Sequence, residues 1–143
     1  MNADKGWDHK DIWHKYGKNF LVEVKHHQEQ SHGSGGCFDS EGPHRWCVYA
    51  YIYPKHPHFA KFEGPRMYQE ASSVMPLHGG ASLLDYPMYD GKVNAVKVGC
   101  DYHHLHDNHF TQYATPDDAY EVFNDANHLH EWLTARAEQL EAA

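Results

Sequence analysis

The C-terminal part of the chain carries its clearest pattern, that of a long helix with one apolar face. Residues 115–118 read TPDD, with Thr as N-cap, Pro in the first turn and acidic residues at the positive end of the helix dipole. Apolar residues then recur at helical spacing, at Ala119, Val122, Phe123, Ala126, Leu129, Leu133, Ala137 and Leu140. Such a helix must bury its apolar face, so the preceding residues have to supply a second layer.

The residues before this helix predict a sheet. Apolar and polar side chains alternate in residues 19–26, and residues 44–53 are dense in aromatic and β-branched residues. The Gly/Ser-rich residues 31–43 between them predict a hairpin. Shorter strand patterns occur within residues 77–86 and 92–100. The predicted class is α+β, with a small, mostly antiparallel sheet of about four strands covered by the long C-terminal helix.

A chain of 143 residues has the length of one domain. We predict a single domain over residues 1–143, with a polar and aromatic N-terminal segment at 1–18, the sheet and a His-rich loop at 19–114, and the helix at 115–141. Residues 11–16 predict a short helix. There is neither a signal-peptide pattern nor an apolar run approaching the ~18 residues of a membrane span. We therefore expect a cytoplasmic protein without a membrane partner.

Charge and composition narrow the classes of partner. The formal net charge is −8 with neutral histidine, which disfavours binding to duplex nucleic acid. The three cysteines, Cys37, Cys47 and Cys100, include no C-x-x-C pair and argue against a disulfide framework or a zinc ribbon. Histidine is the outlier at 15 residues, and it is both the side chain of proton transfer near neutral pH and the commonest metal ligand. The sequence is also compatible with a homo-oligomer.

The histidines are densest directly after the last predicted strand. Residues 99–109 read GCDYHHLHDNH, so four histidines and two aspartates fall within nine residues. Alternate residues of an extended segment share a face, so side chains such as Asp101 and His103 can pair. Such pairs chelate a metal or form a base with its orienting carboxylate. The alternative is a solvated polar loop. The candidate ligands for a divalent metal such as Zn²⁺ are His103, His104, His106 and His109.

A second candidate is the turn at residues 77–82, which read LHGGAS. Paired glycines permit positive φ and close backbone approach, so the amides of Gly79 and Gly80 can bind an anionic oxygen. His78 is a candidate base there, and Ser82 is a candidate ligand-binding residue. The alternative is an ordinary turn before a strand.

Aromatic residues and a cysteine complete the candidates. The strand at residues 44–53 carries Trp46, Tyr49, Tyr51 and Tyr53; one of its faces is expected in the core, and the other offers a stacking surface for a base or sugar, with core packing as the alternative. Tyr102 is a further ligand-binding candidate. The neighbouring Asp101 is expected to raise the thiol pKa of Cys100, which disfavours a thiolate nucleophile.

Three motifs follow one another along the chain: YPKHP at residues 53–57, HGGAS at residues 78–82 and GCDYHHLHD at residues 99–107. Together they resemble a group of small proteins of bacteriophages and some bacteria, with patterns of roughly G-H-P, H-G-G-[LI]-[TS] and G-F-D-x-x-H-x-x-D. The resemblance covers about residues 48–109. The chain departs from the last pattern by a cysteine in place of the aromatic residue and by three additional histidines. The resemblance implies no particular activity, but it points to His56, His78, Asp101, His104 and Asp107.

These features predict a hydrolase-like protein, with His/Asp chemistry, acting on a phosphate-bearing ligand such as a nucleotide. His78 or His104 serves as general base or metal ligand, and Asp101 and Asp107 orient a histidine or complete a metal shell. The association with bacteriophages, rather than any known activity of the group, leads us to expect a nucleotide signal of bacterial immunity as substrate, and hence counter-defence in the host cytoplasm. Two alternatives stay open: a non-catalytic sponge that sequesters such a signal, and an acidic inhibitor of a host defence protein.

Overall fold

The computed structural model describes residues 11–28, 42–62, 71–103 and 107–142. Within these ranges the chain forms seven strands and one long helix, numbered here in chain order. They are β1 (Ile12–Gly17), β2 (Phe20–Gln28), β3 (His44–Ile52), β4 (Leu83–Asp85), β5 (Met88–Tyr89), β6 (Lys92–Val93), β7 (Val96–Asp101) and α1 (Tyr120–Ala142). Short 3₁₀ helices cover Phe59–Phe62 and Asn108–Gln112.

Five of these strands form one antiparallel sheet, in the order β1-β2-β3-β7-β4. Strands β5 and β6 pair separately as a small hairpin. β2 and β3 pair along their whole length, so the two strongest predicted strands are neighbours, as expected. The mostly antiparallel sheet and the C-terminal helix confirm the predicted α+β class.

The strand register decides which side chains meet α1. Val24 lies opposite Val48, and Val48 lies opposite Cys100, so alternate residues of three strands share one face. This face and the apolar stripe of α1 form a common core, whose largest fully buried side chains include Trp46, Tyr102, Phe20, Phe123, Ile52, Leu129 and Leu133. Burial of each such apolar side chain contributes about 1.5–3 kcal/mol, so the contact between sheet and helix is a main source of stability.

The N-terminal edge of the sheet differs from the sequence-based expectation. Residues 11–16, which predict a short helix, instead lead into and form β1, which pairs with β2 along its whole length. This pairing turns Trp13 into the core, where its ring centroid lies 5.6 Å from that of Trp46. The helix prediction is wrong because burial of this indole and the ladder hydrogen bonds outweigh a weak local preference.

The start of α1 also differs from the prediction. The regular helix begins at Tyr120 rather than at residue 115, and residues 116–119 form a turn. Thr115 nevertheless acts as the expected cap, because its Oγ accepts a hydrogen bond from the Asp118 amide at 3.2 Å. Among the described residues, no helix combines the length and the apolar character that a membrane span requires.

The sheet face turned away from α1 carries Tyr49 and Tyr51. The Nζ of Lys97 lies 4.6 Å from the ring centroid of Tyr49 and 5.3 Å from that of Tyr51. Tyr49 also packs against Gly99, where a Cβ would lie 2.3 Å from the Tyr49 ring, so only glycine leaves room for it. Lys97 therefore occupies the space beside the two rings that the sequence offers for stacking on a base or sugar.

Candidate functional site

A histidine and a carboxylate from distant parts of the chain meet at the β7 end of the sheet. The Nε2 of His78 lies 2.9 Å from Oδ1 and 3.0 Å from Oδ2 of Asp107, although the two residues are 29 positions apart. His78 belongs to the turn before β4, and Asp107 directly precedes the 3₁₀ helix Asn108–Gln112. The Asp107 residue is 5% exposed, whereas the His78 side chain is 28% exposed. The pair thus has a buried carboxylate and an imidazole that reaches the surface.

Two aromatic rings hold the imidazole of His78 in place. The ring of Tyr102 stacks on it, with centroids 4.3 Å apart and planes inclined by 12°. Phe110 contacts it edge-on, with centroids 5.5 Å apart. These contacts restrict rotation of the imidazole and keep its Nε2 directed at Asp107.

Tyr102 is itself fixed from the helix. It is 1% exposed, and its hydroxyl donates a 2.6 Å hydrogen bond to Oδ2 of Asp125 in α1. Burial raises the pKa of Tyr102 far above its ordinary value, and the hydrogen bond to Asp125 adds to this, so the hydroxyl stays protonated. Asp125 is therefore a supporting residue that the sequence reasoning missed. The only signal for it was a carboxylate beside the apolar stripe of the predicted helix.

The hydrogen bond to Asp107 assigns the roles of the two imidazole nitrogens. An ionised carboxylate only accepts hydrogen bonds, so Nε2 carries the proton and Nδ1 of the neutral ring is the basic nitrogen. When Nδ1 takes up a proton, the carboxylate stabilises the resulting imidazolium. The arrangement is that of a general base with its orienting carboxylate.

The glycine turn beside His78 has the expected backbone. Gly79 and Gly80 have φ values of 69° and 83°, in the left-handed region that favours glycine. The Gly80 amide donates to the Leu77 carbonyl oxygen at 3.0 Å, so it closes the turn itself. Of the two amides proposed to hold an anionic oxygen, the one at Gly79 is therefore the better placed to do so.

Ser82 ties this turn to β7. Its amide donates to the carbonyl oxygen of Gly99 at 2.9 Å. Its Oγ accepts a hydrogen bond from the Asp101 amide at 3.3 Å. Ser82 thus positions the segment that carries His78, which is a role the sequence did not indicate for it.

Asp101 projects from the other face of the sheet. It lies between Cys100 and Tyr102, whose side chains are buried towards α1, and it is the register partner of Cys47. Its Oδ1 accepts a hydrogen bond from the His103 amide at 3.3 Å, and both residues line a separate cleft of about 140 Å³. The structure therefore brings His78 and Asp107 together but leaves Asp101 outside that pair.

Cys100 does not supply a nucleophile. Its side chain is buried, and burial raises the pKa of the thiol to about 12. The sequence predicts the same direction from the neighbouring Asp101, but the Asp101 charge is only a minor cause of the raised pKa beside burial.

The predicted metal ligands are only partly within the described residues. His104 and His106 lie outside them. His103 is exposed, and the His109 ring packs against Phe110 with centroids 4.1 Å apart. Within residues 11–28, 42–62, 71–103 and 107–142, no group of three or more His, Cys, Asp or Glu side chains is placed to hold a metal ion. The four-histidine zinc site stays a prediction.

His56 is a buried core histidine at the far end of β3 from His78. It is 1% exposed, and its Nε2 donates to the Leu133 carbonyl oxygen of α1 at 2.9 Å. Its Nδ1 accepts a hydrogen bond from the His58 amide at 3.0 Å. The Nε2 of His58 in turn bonds the Ala71 carbonyl oxygen at 2.9 Å. His56 therefore joins the segment after β3 to the helix, and the structure does not bring it to His78.

Three histidines in this part of the molecule predict a loss of stability at acidic pH. Burial lowers the pKa values of His56, His58 and His130 below the ordinary 6.5. Below pH 6.5 the unfolded chain binds protons that the folded chain does not. The contribution of these neutral histidines to the free energy of unfolding is therefore complete above pH 6.5. It is lost as the pH falls from 6.5 through their lowered pKa values. We expect the free energy of unfolding in urea to decrease between about pH 7.5 and about pH 5.5.

A matched pair of variants isolates this effect. In His56→Gln the amide can still donate to the Leu133 carbonyl oxygen but does not titrate, so the decrease with pH should be smaller than in the wild type. The exposed His128 on α1 provides the control, because His128→Gln should show the wild-type decrease. A free energy of unfolding that is constant or rises on acidification would contradict the prediction.

Comparison with known proteins adds no relative from which a role can be carried over. No protein-family model matches the chain, and neither a curated protein nor a solved structure matches it significantly. The function therefore has to be argued from the His78–Asp107 pair and its surroundings.

Proposed function

We propose that the protein binds a phosphate-bearing ligand, such as a nucleotide, at His78 and hydrolyses it. The observation that carries this proposal is the buried Asp107 carboxylate, bonded through both oxygens to the Nε2 of a partly exposed imidazole. Burying a carboxylate costs desolvation free energy, so buried carboxylates are often found at functional sites. Here the carboxylate can polarise the His78 imidazole. The same pair provides a general base without a metal ion.

In the proposed reaction His78 first accepts a proton from water and then donates it to the leaving group. Nδ1 accepts a proton from a water molecule as the water oxygen forms a bond to phosphorus. The bond from phosphorus to the leaving oxygen breaks, and the imidazolium returns the proton to that oxygen. Asp107 stabilises the imidazolium between these steps, and the Gly79 amide is the proposed donor to a phosphoryl oxygen.

The motif resemblance supports the choice of ligand. His78 and Asp107 are the positions of this chain that match the histidine of H-G-G-x-[ST] and the last aspartate of G-x-D-x-x-H-x-x-D. In small proteins of bacteriophages, a nucleotide signal of bacterial immunity is a natural target, so we propose counter-defence as the biological setting. This part of the proposal rests on the association with phages and not on a contact in the site.

The test is incubation of the purified protein with a panel of cyclic and linear nucleotides, with and without EDTA, followed by chromatographic detection of products. We expect hydrolysis of at least one nucleotide that persists in EDTA and is lost in Asp107→Asn. Hydrolysis that EDTA abolishes would overturn the metal-free base and favour the predicted metal ligands in the His-rich loop. Stoichiometric binding without products would overturn hydrolysis and identify the protein as a sponge.

A further inference from the structure

A second pair of histidines lies near the other edge of the sheet, away from His78. His26 in β2 and His44 in β3 are diagonal neighbours on the face towards α1. The Nε2 of His26 lies 2.9 Å from the Nδ1 of His44. The Nδ1 of His26 lies 3.3 Å from Oδ1 of Asp11, directly before β1. Three successive segments of the sheet thus contribute to one polar cluster.

The cluster has the arrangement of a metal-binding histidine with its supporting carboxylate. Histidines that ligate metals commonly donate their second ring N–H to a carboxylate, which fixes the tautomer and the ring orientation. In His26 the nitrogen facing Asp11 is the donor, so Nε2, which faces His44, is the basic nitrogen. The ring of His26 also packs on Trp46, with centroids 4.6 Å apart, which limits its movement.

The distance between the two nitrogens is close to what a metal ion requires. Zinc–nitrogen bonds of about 2.0–2.1 Å in tetrahedral geometry place two ligand nitrogens about 3.3 Å apart. The observed separation of 2.9 Å has to widen by about 0.4 Å. Because the ring centroids are 5.1 Å apart, the two nitrogens point almost directly at each other, so both rings also have to turn towards the common ion. The proton between the rings lies on Nδ1 of His44. When Nδ1 becomes a ligand, this proton moves through solvent to Nε2 of the same ring, so both imidazoles stay neutral.

We propose that His26 and His44 bind one divalent transition-metal ion, such as Zn²⁺, through Nε2 and Nδ1 respectively. Asp11 orients His26 without contacting the metal, and water completes the coordination. Two imidazole ligands favour zinc, copper or nickel over magnesium or calcium. The ion would link β2 to β3 and, through Asp11, to the segment that begins β1. This site is separate from the four-histidine site that the sequence predicts.

The test is titration of the wild-type protein with Zn²⁺ and, as a control cation, Mg²⁺. Binding is followed by calorimetry and by NMR of the histidine ring protons, and the protein is first treated with EDTA. We expect one Zn²⁺ per chain at this cluster, with the ring signals of His26 and His44 shifting together. At about 100 times the dissociation constant, the melting temperature should rise by roughly 5–10 °C. Mg²⁺ should cause none of these changes.

Variants distinguish this site from others on the chain. His26→Gln and His44→Gln should each weaken Zn²⁺ binding by at least about 10-fold, and Asp11→Asn should weaken it by about 10-fold. His128→Gln, on the exposed face of α1, should leave binding unchanged. Zn²⁺ binding that neither glutamine variant affects, or ring signals of His26 and His44 that do not move at saturating Zn²⁺, would overturn the proposal. The NMR measurement needs no variant and stands even if one of them fails to fold.

Discussion

Replacing His78 with Ala is expected to lower the rate of nucleotide hydrolysis by about 100- to 10,000-fold, which is the usual contribution of a positioned general base. The reason is that Nδ1 of His78 is the proposed acceptor of the proton from water, and Asp107 is proposed to act through that ring. The measurement is kcat on the best substrate of the nucleotide panel. The rate is compared at equal concentrations of folded protein, because the stacking on Tyr102 is also lost.

Two further variants make this result specific. Asp107→Asn keeps the shape of the side chain but removes the charge that stabilises the imidazolium, so kcat should fall substantially while ligand affinity changes less. His128→Ala, which removes an exposed histidine from α1, should retain the wild-type rate. If His78→Ala hydrolyses the substrate at the wild-type rate, the assignment of the base is wrong, and the histidines of residues 103–109 become the next candidates.

Replacing Trp46 with Ala is expected to reduce the free energy of unfolding by about 3–5 kcal/mol. The residue is 1% exposed, and its ring stacks on Trp13 and contacts Phe123 of α1 edge-on, at 6.0 Å between centroids. Its Nε1 also donates to the carbonyl oxygen of Tyr113 at 2.9 Å. The variant loses both the packing between sheet and helix and this hydrogen bond. Since domains are stable by only about 5–15 kcal/mol, the loss is a large fraction of the total.

The measurement is chemical denaturation at neutral pH, with two comparisons. Trp46→Phe keeps an aromatic ring in the core and loses the hydrogen bond and part of the volume, so it should cost less than Trp46→Ala. Tyr120→Ala, at a position that is 53% exposed, should change the free energy of unfolding little. A cost for Trp46→Ala as small as that for Tyr120→Ala would show that the sheet does not pack on α1 as described.

The two histidine clusters use their neighbours differently. At His78, an aromatic ring stacks on the imidazole and a buried carboxylate is hydrogen-bonded to Nε2, which is the arrangement of a general base with its orienting carboxylate. At His26, a second imidazole faces the basic nitrogen at 2.9 Å, which is suited to sharing a cation. The same side chain is therefore proposed for proton transfer in one place and for metal binding in the other, because its partners differ.

The periodic elements of this protein can be predicted from the pattern of its amino-acid residues. The apolar stripe from Ala119 to Ala137, the two strong strands and their pairing follow from local spacing and composition. The strands predicted at residues 19–26 and 44–53 are observed at 20–28 and 44–52. The α+β class follows in turn, because one amphipathic helix and several alternating strands bury their apolar faces against each other. The edge strand β1 could not be predicted, because its conformation depends on the neighbour it pairs with.

The partners of the histidines, in contrast, depend on how the strands are arranged in the folded protein. His78 and Asp107 are separated by 29 residues, and they meet because β4 and β7 are adjacent in the sheet. Asp101, which the sequence places beside the same histidines, is directed to the opposite face because side chains of a strand alternate. His26 lies beside His44 because the register of β2 and β3 makes them diagonal neighbours on one face of the sheet. Spacing along the chain is a local property, whereas these contacts depend on strand order and register.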